Sequence, residues 1–273
     1  MAEVQWTQLE NKDFGDFTHR LADDFKRLDY YGVNASRNFY DVNITGAWND
    51  TKNEFEVTLK TFNPNSVIYY SVNDSTLTNS SFKYDNPIVI KEDATIYAIA
   101  YKDGIVQGKT TQKSFAVNKA TGTTYISTPN PVLENVNEGF GLTDGYRGYA
   151  KNVRRWVRYR NDAFQIDVTL HAPETINTVS TSFVWRPVNY TWPARRVTVL
   201  TSVDGEAFVE AATKEFTYDL SPTQGTRYPV SISFDEVVAK YVRLEISGWE
   251  EIPEGFYRAG ELSKTGLDEI EIH

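Results

Sequence analysis

The sequence predicts a mainly β protein, two β-sandwich domains in tandem preceded by a short helical segment. Three observations carry this. Apolar residues come in short runs that alternate with a period of two, as in Val197, Val199 and Thr201 against Thr198, Leu200 and Ser202. The runs are broken by Asn, Asp, Gly and Pro, which suit turns. The chain of 273 residues is long enough for two separate cores, and a polar, Gly-containing stretch, Asn118-Lys-Ala-Thr-Gly-Thr-Thr, parts the two groups of strand signals.

Composition narrows the function. With no Cys there is no disulfide framework and no thiolate metal site. No apolar run reaches the roughly 18 residues that would suggest a membrane-spanning helix, so no membrane insertion is expected. A net charge of −9, from 28 basic and 37 acidic residues, opposes long-range attraction to nucleic acid or anionic lipid. A Cys-free chain rich in Asn, Thr and Tyr suits a bacterial exported protein.

In chain order, Ala2-Glu-Val-Gln-Trp reads as the interior of an element that begins upstream, with Met1 an added start and no leader pattern after it. Asp13 is placed to cap a helix, with Asp16 three residues on. Phe14, Phe17, Leu21, Phe25 and Leu28 follow at helical spacing, and Gly32 ends the run. So strong an apolar face needs a partner. These elements make up residues 1–40. Residues 41–119 hold strands at Phe55-Val57-Leu59, Val67–Val72, Pro87–Ile90, Ala94–Tyr101, Gln107–Lys109 and Phe115–Val117, with a turn at Asp103-Gly104. Residues 125–273 hold Leu142-Thr-Asp-Gly, Trp156, a strand at Phe164–Leu170 and the strand-and-turn stretch Arg195–Phe208. Asp204-Gly205 is expected to turn a hairpin, returning apolar at Phe208. Strands at Tyr241–Ile246 and Asp268–Ile272 close the domain.

The order of motifs in residues 125–273 resembles the discoidin, or coagulation factor V/VIII type C, domain, a jelly-roll sandwich whose bacterial members often bind carbohydrate. The resemblance implies that Trp156 is a core residue. Ile68-Tyr-Tyr-Ser, Ser81-Phe-Lys-Tyr, Pro87-Ile and Ala94-Thr-Ile-Tyr-Ala-Ile-Ala are similar to the small immunoglobulin- or fibronectin-III-like sandwich that follows chitobiase and hexosaminidase barrels. Ala2-Glu-Val-Gln-Trp with Lys12-Asp-Phe-Gly-Asp-Phe and Arg20-Leu resembles the last helices of the glycoside hydrolase family 20 barrel. Together the three imply the C-terminal part of a secreted bacterial β-N-acetylhexosaminidase, periplasmic or extracellular. Its partners would be N-acetylhexosamine-containing glycans and a catalytic barrel lying upstream.

No catalytic residue is assigned. That family's Asp-Glu pair follows a His-x-Gly-Gly run, which this sequence lacks, and Asp268-Glu269 opens the final strand instead. His19, His171 and His273 are far apart and form no triad or ligand spacing. No cofactor is required, but the discoidin resemblance implies one structural Ca²⁺ held by Leu142, Asp144 and Glu269. Tyr146-Arg-Gly departs from the usual second Asp and Thr, and the bland reading makes Asp144 a turn former and Glu269 a strand-edge acid. Sugar binding needs aromatic faces and planar donors on rim loops. Trp185, Arg186 and Tyr190 in one loop, and Trp249, Tyr257 and Arg258 in another, are the candidates, whereas Trp192-Pro193 reads as core. The alternative is that these aromatics plug the sandwich end, the domains being purely structural braces for the barrel. Arg154, Arg155 and Arg158 form either a basic patch or a solvated face.

Overall fold

The computed structural model describes residues 8, 10, 12–36, 38–63, 65–132, 141–151, 155–160, 162–221 and 225–273. The readings at residues 2–6 and at Arg154 fall outside these. Helix α1 (Phe14–Tyr30) is followed by β1 (Asn43–Asn49), β2 (Glu54–Lys60), β3 (Val67–Val72), β4 (Phe82–Lys83), β5 (Ile88–Ile90), β6 (Ala94–Lys102), β7 (Ile105–Phe115) and β8 (Thr124–Thr128). Next come β9 (Val157–Tyr159), β10 (Ala163–Trp185), β11 (Thr191–Trp192), β12 (Arg196–Ser202), β13 (Val209–Glu215), β14 (Thr226–Ser247), β15 (Lys264–Leu267) and β16 (Glu271–Ile272). The protein is mainly β, as the period-two pattern predicts. Among the described residues the sheets have orders β1-β2-β5, β4-β3-β6-β7 and β11-β15-β10-β14-β12-β13, with β8 and β16 also paired to β10 and β9 to β15. No helix among the described residues is long and apolar enough to cross a membrane.

The chain divides into two compact units. The first comprises residues 1–45, 57–88 and 95–113. In it the Asp13 carboxylate accepts the Asp16 amide at 3.0 Å and so caps α1. Gly32, at φ +64°, follows the helix end, where Val33 N–H reaches back to Leu28. Phe25, the buried residue of the apolar face, packs on Phe39 and Tyr40 at 5.9 and 5.2 Å between centroids. Val57, Leu59, Ile68, Ile96 and Ala98 are buried at alternate strand positions.

The second unit comprises residues 46–56, 89–94 and 114–273. Its frame is the antiparallel ladder between β10 and β14, which runs from Ala163 opposite Ser247 to Trp185 opposite Thr226. Register shifts between Thr169 and Glu174 and between Ile176 and Thr178 let these long strands bend. Pro173 lies inside the first shift, where its missing N–H costs no rung. Alternate residues Phe164, Ile166, Val168 and Leu170 lie beside Val242, Leu244, Ile246, Val197 and Val199 on one side of the sheet and enter one core.

One expectation needs correction. Trp185 is not in a connecting loop but at the end of β10, where Phe183, Val184 and Trp185 are all buried because the sheet is covered on both faces. Asp204-Gly205 does turn the hairpin between β12 and β13, with Gly205 at φ +83°. Asp204 accepts N–H groups from Glu206 and Ala207 and the Ser202 hydroxyl, which hold its carboxyl down at about 2, and β13 starts only at Val209. Phe208 lies under the Arg243 guanidinium at 3.9 Å.

Candidate functional site

The loop Leu142–Gly145 and the strand end at Glu269 are brought together, as the discoidin resemblance implies. Glu269 is fully buried, and its carboxylate accepts the N–H groups of Gly145 (2.9 Å) and Asp144 (3.2 Å). Asp144 accepts those of Gly141 (2.8 Å) and Tyr146 (2.9 Å), and the Leu142 carbonyl accepts that of Ile270 (2.7 Å). Burial pushes Asp144 up to about 6, and burial with the Asp144 charge pushes Glu269 well above the usual carboxylate range.

Leu142, Asp144 and Glu269 are the residues that would hold a calcium ion, and each of their oxygens also accepts a backbone N–H. Among the described residues no group of three His, Cys, Asp or Glu side chains stands together, so the remaining ligands would be backbone carbonyls or water. The nearby Arg147 forks onto Glu271 at 2.6 and 2.5 Å and also reaches Asp93 at 2.6 Å. Burial works against ionising Glu271, but Arg147 outweighs it and holds that carboxyl at about 2.

A pH dependence follows. Carboxyls raised in the folded state stabilise it below the unfolded value near 4, and that contribution is lost as pH rises through about 6. With a chelator present, Glu269→Gln is therefore expected to gain in melting temperature relative to the wild type as pH goes from 4 to 8. A wild-type melting temperature that rises by several degrees on adding calcium, with no rise in Glu269→Gln, would mean that the pair holds the ion.

The rim candidates divide. Trp185 is 1% exposed, which corrects the expectation of an exposed face. It meets Trp192 edge-on at 4.4 Å and Phe256 at 5.6 Å in a second apolar cluster with Ile252. Trp192 is equally buried, as its place before β12 predicts. Trp156 is buried too, its indole N–H donating to the Tyr149 carbonyl at 3.0 Å. Arg186 is turned to the chain, donating to the carbonyls of Lys151 (2.8 Å) and Ala150 (3.3 Å). Tyr190 is half-buried and holds φ at +59°, Tyr257 is 85% exposed, and Arg258 lies 4.8 Å over the Tyr190 ring while pairing with Glu261.

Trp249 instead joins residues the sequence reading missed. It lines a cleft of about 610 Å³ with Arg195, Arg196, Glu215, Phe216, Tyr218 and Leu220. Its indole N–H donates to Pro193, and the Arg195 guanidinium lies over its ring at 5.1 Å. Arg195 is itself fixed by donating to the Gly248 carbonyl at 2.9 Å. Phe216 and Tyr218, two apart on the segment after β13, stack at 6.2 Å. The Tyr218 hydroxyl is buried without a hydrogen-bond partner, and burial, then Tyr228, pushes its ionisation up. The cleft thus offers aromatic faces, guanidinium donors and a carboxylate acceptor. No local signal in the sequence marks Phe216 and Tyr218, because their meeting with Arg195 and Trp249 depends on strand pairing.

Residues 57–115 match the family described as Fn3 associated. No curated protein matches the chain. Among similar solved structures is chitosan-binding module 1 of a chitosanase/glucanase from Paenibacillus sp. IK-5, 20% identical, covering 57% of this chain and 98% of that one with a TM-score of 0.36. Another is the family 32 carbohydrate-binding module of Streptococcus pneumoniae EndoD, at 16% identity, 57% and 98% coverage and a TM-score of 0.39. A third is CBM32-3 of a family 31 glycoside hydrolase from Clostridium perfringens, at 13%, 57%, 92% and 0.35. Likenesses of this size carry no argument about function, which rests on the chain's own residues.

Proposed function

We propose that the C-terminal unit binds carbohydrate in the Trp249 cleft. We further infer that the chain is the non-catalytic C-terminal portion of a secreted bacterial β-N-acetylhexosaminidase. The first reading is carried by the cleft, where aromatic rings and charged planar groups line a volume suited to a sugar unit or two. The second is supported by three motif groups standing in the order of that enzyme's closing segments. It makes N-acetylhexosamine-containing glycans the ligands, an upstream barrel the partner, and the periplasm or the exterior the location.

Arg196→Ala removes an exposed guanidinium from the cleft lining and leaves the core intact. Tyr218→Phe is its structural control, since removing a buried, unpartnered hydroxyl is expected to leave stability unchanged or raise it by about 1 kcal/mol. Retardation in gels containing glycol chitin should fall several-fold in Arg196→Ala and stay at the wild-type level in Tyr218→Phe. Burial of Trp185 and Trp192 favours the alternative, a structural plug without ligand binding. No retardation on any glycan, with wild type and variants alike, would leave that reading in place.

A further inference from the structure

The Arg-rich run that the sequence reads as either a basic patch or a solvated face leads to a second place on the C-terminal unit. β9 runs antiparallel to β15 with Arg158 opposite Gly266 and Tyr159 opposite Thr265, so one step on Arg160 faces Lys264. Strand alternation puts Arg158, Arg160 and Lys264 on one face, while Tyr159 turns into the core and bonds Ser127. Gly266 makes room, because a Cβ there would come within 3.2 Å of the Arg158 stem. Arg186, at the end of β10, completes the group. Burial, then Arg158 and Arg160, lowers the Lys264 ammonium, and burial, then Arg186, lowers Arg158.

Among the described residues none of these four cations forms an ion pair with a carboxylate, and Arg186 donates only to backbone carbonyls. Arg158 is 8% exposed, and its Nε is buried with no hydrogen-bond partner. Like charges facing each other across paired strands destabilise the sheet, and a buried cation wants a counter-charge. On a chain with a surplus of acids, this arrangement lacks one partner, an anion. Beside it lies an aromatic surface, the half-buried Tyr190 ring, with the Lys264 ammonium 5.6 Å from its centroid.

We propose that this face binds the anionic group of an acidic saccharide, a uronate carboxylate or a sulfate ester. Arg158 and Lys264 contact the anion, Arg160 and Arg186 add charge, and Tyr190 supports the sugar ring. The site shares no residue with the Trp249 cleft and does not depend on it. Net negative charge elsewhere works against a long polyphosphate, so the site reads one anionic group at close range.

The test is electrophoresis of the full chain through gels containing polygalacturonate, chondroitin sulfate or neutral glycol chitin, with Arg158→Met and Lys264→Met beside the wild type. Retardation of at least two-fold in an acidic gel, lost in both variants while any retardation in the neutral gel persists, is the expected result. Melting curves separate binding from a structural role. Arg158→Met should melt no lower than wild type, and sodium sulfate, compared with chloride at equal ionic strength, should raise the melting temperature of wild type only. Equal mobility of wild type and both variants in the acidic gels overturns the proposal. So does sulfate stabilisation without retardation, which would mean a free anion only, or retention on DNA but on neither acidic polysaccharide.

Discussion

Trp185→Ala is expected to destabilise the C-terminal unit by about 3–5 kcal/mol, a fall in melting temperature of roughly 10 °C. The side chain is 1% exposed and is held by Trp192 at 4.4 Å and Phe256 at 5.6 Å. Its removal leaves a cavity bounded by rings that cannot collapse without moving the end of β10. Trp185→Phe, which keeps part of the packing, should lose less. Thermal unfolding followed by circular dichroism measures both. An unchanged melting temperature together with lost glycan retention would mean the indole faces a ligand, contrary to its burial.

Asp268→Ala is expected to cost a similar amount, about 3–5 kcal/mol, through a different mechanism. The carboxylate is 2% exposed and accepts the amide of Ser182 at 2.9 Å, the amide of Gly148 at 2.9 Å and the Arg227 guanidinium at 3.1 Å. Burial raises its pKa, with Arg227 and the two amides working the other way. Alanine would strand two buried N–H groups and leave Arg227 without its partner. Asp268→Asn keeps one acceptor oxygen and should recover part of the loss. Denaturant titration of the three proteins decides the matter, and an Asp268→Ala midpoint within error of wild type would remove the carboxylate from any structural role.

These two residues show where the sequence was legible. Period-two alternation located β2, β3, β6 and β12, and Asp13 with Gly32 marked the ends of α1, because each signal is local. The approach of Asp144 to Glu269 came from resemblance alone, and their raised ionisation from neither source, since it depends on burial. Trp185 was misread because Phe183-Val-Trp breaks alternation. A strand covered on both faces and an apolar loop look the same in one dimension. The cleft was hidden for a further reason. Arg195, Phe216 and Trp249 sit on separate segments, and only the pairing of β12 with both β13 and β14 sets them side by side.

The bent ladder between β10 and β14 has a kinetic meaning. Its rungs tie residues as distant in the chain as Ala163 and Ser247, whereas β12 and β13 are joined by a short loop. Yet its two ends come back within reach of each other, Trp185 touching Trp192 and Trp192 touching Trp249, which follows β14 by two residues. The unit is in effect one ribbon doubled over and fastened by an indole clasp. Most of the loop-closure entropy must be spent before the clasp can shut, so refolding should be governed by topology rather than by any local hairpin.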